Sequence, residues 1–195
     1  NRIIKEIKEY VYPKKMDVTQ FKMKQGPYSA KSLIKLNCSE NDFDDWKEFK
    51  SGERWGKRNT SFLFSTTVTI PKEFAEKVVV FEVKTGREGE WDALNPQFMV
   101  FINGRLVHGL DVNHREVILS EKAVSGETFN ILMHAYSGMQ EGTMELSAKI
   151  AVLDRGVEKF YYDLKVPYNV AVLLENGDKR RIDIIGFLNE TINML

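Results

Sequence analysis

Residues able to bind a metal or to act as general acids and bases are sparse among the 195 residues of this sequence. The only histidines are His108, His114 and His134. A metal site built from His108, Asp111 and His114 is one interpretation, because these residues lie close together in the chain. The spacing fits no established zinc signature, however. The other interpretation, which we favour, is a hydrogen-bonded loop in which Asp111, Asn113 and His114 satisfy backbone groups. We therefore expect no metal and no cofactor in this chain.

Catalytic nucleophiles and carboxylate pairs are equally poorly supported. Cys38 is the only cysteine and has no histidine near it in the sequence, so we interpret it as a structural thiol. Paired acids can hydrolyse glycosides, and the sequence has three candidate groups. Such groups are also common on solvated surfaces, and no glycine-rich nucleotide loop or nucleophile elbow is present. We expect no catalytic residue here. The candidate acid groups are Asp44 with Asp45, Glu88 with Glu90 and Asp92, and Asp111 with Glu116.

The tryptophans are the most informative candidates for ligand binding, because each lies beside polar residues. An exposed indole can stack on the C–H face of a sugar while neighbouring polar groups bind its hydroxyls. Trp91 fits this description best, whereas Trp46 and Trp55 are better explained as part of a core. The candidate contacts to a sugar or to another domain are Trp91, Asp92, Asp111, Asn113 and His114.

The central part of the chain has the period-2 alternation of β-strands. Asn103-Gly104 between two such runs predicts a type I′ hairpin, because both residues tolerate positive φ. Several short strands separated by turn signals predict a mainly β fold, an antiparallel β-sandwich of the jelly-roll, galactose-binding-like kind. The alternating runs are 62–67, 79–83, 97–102, 117–119, 129–133 and 144–152.

Both ends of the chain have helical spacing instead. Residues 2–11 predict a short amphipathic helix, and residues 161–195 predict a helical hairpin with Gly177 as the C-cap of its first helix and Asp178 as the N-cap of its second. We expect an N-terminal helix and extended lead-in over 1–45, a sandwich over 46–156, and a helical hairpin over 157–195 that leads to a further domain. The chain begins at Asn1 and ends within an apolar helical pattern, so we expect it to be part of a longer polypeptide.

Composition narrows the class of partner. Lys and Arg number 28 and Asp and Glu number 28, so the net charge is zero, and we expect no nucleic-acid partner. Residues 1–36 carry nine basic residues against three acidic ones, which we interpret as a solvated face or a docking surface for protein. With one cysteine and no apolar membrane span or signal peptide, we expect a cytoplasmic protein without a membrane partner.

Several segments together resemble a known family. They are the segment from Trp91 to Leu119, Glu53-Arg54-Trp55-Gly56, and His134-Ala135-Tyr136-Ser137-Gly138. Tyr161 to Leu164 and Phe187 to Asn193 also fit. Together they are similar to the N-terminal region of the glycoside hydrolase family 38 α-mannosidases of the cytosolic and bacterial type, and the resemblance covers most of residues 46–195.

The resemblance implies a parent enzyme that removes terminal α-mannosides with retention and needs a divalent metal, usually zinc. In that family the metal ligands and the aspartate nucleophile lie in a later domain, which opens with a His-x-Asp motif. None of the three histidines here is followed by x-Asp, so no catalytic residue carries over. Pro167 departs from the family's uninterrupted helix. The implied partners are the enzyme's own catalytic domain and further copies of the parent, and we expect residues 1–195 alone to be inactive.

Two alternatives stay open at this stage. The first is a stand-alone carbohydrate-binding module without hydrolase activity, with loops 87–95 and 109–115 forming a cleft for a mannoside. The second is a purely architectural domain, in which Trp91 and Asp111 contribute to stability or assembly rather than to substrate affinity.

Overall fold

A computed structural model of the chain describes residues 2–26, 28, 43, 45–87 and 96–194. These residues divide into two compact units, a β unit over residues 14–152 and a helical unit formed by residues 1–13 together with 153–195. The sandwich predicted over 46–156 therefore begins earlier than the alternation indicated, because strands at 14–18 and 20–25 belong to its sheets.

The strands of the β unit are short and mostly antiparallel to their neighbours. Among the described residues a four-stranded sheet has the order β1-β12-β6-β9, and a six-stranded sheet has the order β3-β2-β5-β10-β7-β8. Strands β4 and β11 form a separate two-stranded sheet. The strands are β1 Lys14–Val18, β2 Gln20–Gln25, β3 Lys47–Lys50, β4 Arg54–Trp55, β5 Ser61–Thr69, β6 Val78–Lys84, β7 Gln97–Ile102, β8 Arg105–Leu110, β9 Glu116–Ser120, β10 Thr128–Tyr136, β11 Met144–Glu145 and β12 Ser147–Leu153.

The two larger sheets share one core, which confirms the sandwich prediction. Phe81 and Ile150 from the four-stranded sheet and Phe64 and Ile131 from the six-stranded sheet belong to the same buried cluster. Within each strand, the residues of this cluster occupy every second position. Each strand therefore directs one row of apolar side chains inward. The Asn103-Gly104 turn between β7 and β8 is also as predicted, with both residues at positive φ.

The outer face of the six-stranded sheet is apolar as well, which the sequence reasoning missed. Leu63 of β5, Phe101 of β7 and Leu132 of β10 are buried there together with Phe43 and Trp46. Lys24 on β2 forms an ion pair with Asp45 at 2.8 Å, beside this second cluster. The central strands of this sheet are therefore apolar on both sides.

Three α-helices form the helical unit: α1 Arg2–Val11, α2 Arg155–Leu173 and α3 Lys179–Asn193. Both α1 and α3 pack on α2. Asp178 caps α3 as predicted, accepting a hydrogen bond from the backbone N–H of Arg180 at 2.8 Å. Gly177 is not the C-cap of the preceding helix, because α2 ends at Leu173 and Leu174 caps it in an extended conformation. Helix α2 continues through Pro167 without a break.

Candidate functional site

The strand register brings several loops to one end of the sandwich. In the six-stranded sheet Tyr136 pairs with both Ser61 and Gln97, so the end of β10 lies beside the starts of β5 and β7. Strand β8 runs antiparallel to β7 and therefore ends there too, which brings the 111–115 loop to the same end. The backbone N–H of Val83, near the end of β6, donates to the carbonyl of Arg115 at 2.8 Å. This end is the natural place to look for a binding site.

Asp111 organises the 111–115 loop. Its Oδ1 accepts hydrogen bonds from the backbone N–H groups of Asn113 at 2.8 Å and His114 at 2.7 Å, and its own N–H donates to the carbonyl of His114 at 2.9 Å. The Nδ1 atom of His114 lies 3.2 Å from the same Oδ1. This is the hydrogen-bonded loop that the sequence favoured, in which an aspartate mimics a backbone turn.

The electrostatics of Asp111 follow from this arrangement. Partial burial raises the pKa of its carboxyl, but the two backbone N–H donors and the His114 imidazole together outweigh burial and hold the pKa below its usual range. One carboxylate oxygen is committed to the loop, so Asp111 acts first as a structural acceptor. What remains for a ligand is Oδ2 and the exposed side chains of Asn113 and His114.

Of the five candidate contact residues, the structure brings Asp111, Asn113 and His114 into one loop. Trp91 and Asp92 lie outside the described residues, although the chain enters their segment from Arg87 and leaves it at Pro96, which adjoins β7. Cys38 and the acid groups at 44 and 88–92 also lie wholly or partly outside the described residues.

The donor set does not fit a metal ion. Within the part of the chain that the structure describes, no three His, Cys, Asp or Glu side chains come together as a metal site would require. His108 lies on strand β8 rather than in the Asp111 loop. The pair formed by Asp111 and His114 supplies two ligands at most, and one of their oxygens already accepts two backbone hydrogen bonds.

A second loop system at this end was missed by the sequence reasoning. Arg54 donates to the Thr143 hydroxyl at 2.7 Å, and Arg58 lies 3.4 Å from Glu141. Arg87 bonds the side chain of Gln140 and the carbonyl of Glu141. Three arginines, two from residues 54–58 and one that follows β6, thus hold the loop that follows β10.

Close backbone approach completes this second system. Gly86, at φ +92°, lies so near strand β11 that a Cβ atom would come within 2.4 Å of the carbonyl oxygen of Glu145. No L side chain fits there. The hydroxyl of Ser137 accepts from the N–H of Thr60 at 3.2 Å and lies within hydrogen-bond distance of the carbonyls of Lys57 and Thr60. Tyr136 donates to the side chain of Asn59 at 2.9 Å.

Two of the segments on which the family resemblance depends, 53–56 and 134–138, meet beside these contacts, since a Cβ atom on Gly56 would lie 3.7 Å from the Cβ atom of Ser137. The signal was therefore present in the sequence, but only as separate motifs. Their meeting depends on the pairing of β4 with β11 and of β5 with β10.

The described tryptophans are core residues. Trp55 is 2% exposed and packs edge-to-face against Phe62, Phe64 and Phe98. Trp46 is buried against Phe43 with ring centroids 4.7 Å apart. Neither indole face is open to a sugar, as the favoured interpretation of these two residues predicted. Among the residues that the structure covers, no helix is long and apolar enough to cross a bilayer.

Comparison with protein families identifies the β unit. Residues 13–165 match the family described as the jelly roll domain of α-mannosidase (Ams1-like, first domain). This confirms both the jelly-roll prediction and the resemblance to the N-terminal region of α-mannosidases.

One curated relative and several solved structures agree with this. Alpha-mannosidase G of Dictyostelium discoideum is 24% identical over 170 residues, a match that covers 76% of this chain and 15% of the relative. The chain thus spans less than a sixth of that relative's length. Two structures of a β-glucuronidase from Ruminococcus gnavus, with D-glucuronic acid and with a C6-substituted uronic isofagomine, superpose with a TM-score of 0.50 at 10% and 11% identity. They cover 73% of this chain and 30% and 29% of theirs, a likeness of fold alone.

Proposed function

Because the chain belongs to the family of α-mannosidase jelly roll domains, we propose that it is the non-catalytic N-terminal β-sandwich region of a glycoside hydrolase family 38 α-mannosidase. The parent enzyme removes terminal α-mannosides with retention and depends on zinc or another divalent metal. It works in the cytoplasm as a homo-oligomer. The sandwich supports the catalytic domain or the assembly of subunits.

The observation that carries this proposal is the match of the family model over residues 13–165, most of the chain. The arrangement of polar groups is consistent with a supporting role. The Asp111 carboxylate accepts hydrogen bonds from the backbone of its own loop, and the arginines at positions 54, 58 and 87 donate theirs to the loop that follows β10. Side chains used in this way fix loop shape rather than carry out acid–base chemistry.

The metal and the nucleophile belong outside residues 1–195 in this proposal. The donor set around Asp111 and His114 does not fit a zinc site, and no histidine of the sequence is followed by x-Asp. Residues 1–195 contribute a folded domain whose surface loops are fixed by hydrogen bonds.

A turnover assay tests the proposal. Residues 1–195 and the full-length polypeptide of the source are each incubated with p-nitrophenyl α-mannoside and added zinc. We expect turnover from the full-length protein only, and its loss when a chelator removes the metal. Metal-dependent turnover by residues 1–195 would overturn the non-catalytic assignment, and an inactive full-length protein would overturn the assignment to an α-mannosidase.

The stand-alone carbohydrate-binding module is the second candidate, favoured by the gathering of the 111–115 loop and both flanks of the 88–95 segment at one end. Titration of mannose into residues 1–195, followed by NMR, separates the two. Shifts confined to Asn113, His114 and their neighbours, at concentrations above a dissociation constant of about 1 mM, would support this second function. An unchanged spectrum at tens of millimolar, well above that constant, would remove it.

A further inference from the structure

Helix α2 carries an exposed apolar stripe. Tyr162, Val166, Val170 and Leu173 recur at intervals of four, four and three residues, which places them along one side of a helix with 3.6 residues per turn. They are 49%, 55%, 49% and 86% exposed. We call these four residues the α2 stripe.

The other side of the same helix is the side already buried. Tyr161, Leu164 and Ala171 are buried there, and α1 and α3 pack on this helix. A helix at a protein surface normally places charged residues opposite its buried face. Helix α2 places the α2 stripe there instead, a pattern typical of a helix that is covered on both sides.

Helix α3 is also incompletely covered. None of its 15 residues is buried, and Ile182 and Phe187 are largely exposed. A cavity of about 240 Å³ remains among the three helices, lined mainly by apolar side chains such as Leu164, Ile185 and Leu188. The helices therefore do not form a closed hydrophobic core by themselves.

The charges beside the α2 stripe indicate the class of partner. Lys159 and Asp163 flank its first residue and form an ion pair with each other at 2.6 Å. The Lys165 ammonium lies 5.6 Å from the centre of the Tyr162 ring and adds one positive charge to this balanced pair. One net positive charge is far less than the basic surface that binds nucleic acid or an anionic membrane. An apolar surface with a weakly charged polar rim fits the surface of another folded protein domain.

We propose that the α2 stripe is the surface on which the catalytic domain of the parent α-mannosidase docks. This inference rests on the proposed function. The family match ends at residue 165, so three of the four stripe residues follow the jelly roll domain directly. The Dictyostelium relative is matched over only 15% of its length, which leaves most of that chain to other domains. A domain joined to this one by the chain itself has a high effective concentration, so a modest apolar surface suffices to hold it.

Hydroxyl-radical footprinting tests the proposal, because it measures the solvent access of individual side chains. Residues 1–195 and the full-length polypeptide are labelled side by side, with exposed Tyr10 of α1 as an internal reference. We expect labelling of Tyr162 to fall about fivefold in the full-length protein, because the centre of an interface excludes water. The Val170→Glu variant of the full-length protein restores labelling of Tyr162 and lowers the unfolding temperature. Asn176→Glu is the matched control, with the same charge at an exposed polar position beyond the end of α2, and it changes neither.

The other outcomes overturn the inference. Equal labelling of Tyr162 in both proteins would mean that the α2 stripe stays open. Protection of Tyr162 already present in residues 1–195 would assign the α2 stripe to a second copy if light scattering finds a dimer that Val170→Glu dissociates, and to this chain's own fold if it finds a monomer. The turnover assay separates this inference from its premise: an active full-length enzyme with a fully labelled Tyr162 refutes the docking surface alone.

Discussion

At the residue scale, Ser137 and His134 at the end of β10 show how local chemistry maintains this fold. Ser137 is 2% exposed and joins the backbone of Thr60 and Lys57 to the end of β10. His134 lies three residues before Ser137, on the same outward face of β10 as Leu132, and its Nε2 atom is buried without a hydrogen-bond partner. The first residue is satisfied by its neighbours and the second is not, so they respond differently to change.

Replacing Ser137 with alanine is expected to destabilise the β unit by about 1–3 kcal/mol, because the partly buried N–H of Thr60 loses its acceptor. Urea denaturation measures the change in the free energy of unfolding. Ser125→Ala, at an exposed serine, is the matched control and should stay within about 0.5 kcal/mol of the unaltered protein. Equal effects of the two substitutions would show that the Ser137 hydroxyl contributes nothing.

His134 predicts a pH dependence of stability. Burial lowers the pKa of its imidazole, because the charged form loses its hydration. The unfolded chain therefore binds more protons than the native state as the pH falls below about 6.5, the usual histidine value, and stability is lost in that direction. His134→Gln should lose less of its free energy of unfolding between pH 7 and pH 5 than the unaltered protein. Identical losses would contradict the prediction.

At the scale of secondary-structure elements, the pairing of neighbouring strands is the main determinant of which side chains meet. Glu82 on β6 and Lys149 on β12, neighbouring strands of the four-stranded sheet, form an ion pair at 2.9 Å with side chains only 10% and 21% exposed. The pair of Glu76 with Lys122, at 2.7 Å, lies in solvent. Two lysine–glutamate pairs of similar length thus differ mainly in burial.

Lys149→Ala is expected to cost about 1–3 kcal/mol of unfolding free energy, because it leaves the Glu82 carboxylate buried without its partner. Lys122→Ala, the matched control, should cost at most about 1 kcal/mol, since water solvates Glu76 in either case. Thermal and urea unfolding of both variants provide the comparison. If the control loses as much stability as Lys149→Ala, burial does not explain the contribution of the Glu82–Lys149 pair to stability.

The elements with a strong period were predictable. The alternation of residues 129–133, the Asn103-Gly104 turn and the helix of residues 2–11 each depend on interactions between residues close together in the chain. The predicted run 144–152 instead divides at Leu146 into β11 and β12, which belong to different sheets. Strand β1 could not be found in this way. Its sequence, Lys14–Val18, has four exposed residues out of five, and it is a strand because it pairs with β12.

At the scale of the whole molecule, the core of the β unit belongs to both sheets at once. Phe64 is fully buried between Phe49 and Trp55, within the cluster that also contains Phe81 of the opposite sheet. No single strand can bury this ring. Phe64 therefore contributes to stability only when both sheets of the sandwich have assembled.

Phe64→Ala is expected to destabilise the β unit by about 3–5 kcal/mol, the sum of lost burial and the cavity left behind. Leu106→Ala removes a large apolar side chain that is 49% exposed on edge strand β8, and should cost about 1 kcal/mol or less. Urea denaturation with tryptophan fluorescence follows both, since Trp55 is buried beside Phe64. Comparable losses in the two variants would contradict a core centred on Phe64.

The sequence by itself determined the fold class, the hairpin, the helices at both ends and the family. Hydrophobic periodicity, turn residues and short motifs each involve residues that are close together in the chain. It did not determine that the segments at 53–56 and 134–138 meet. It placed the start of the sandwich at residue 46, whereas the sheets begin at Lys14. Those features depend on strand pairs such as β1 with β12 and β4 with β11, whose partners lie about 90 to 140 residues apart. Contacts at that separation arise only when the sheets assemble, so the tertiary structure alone decides them.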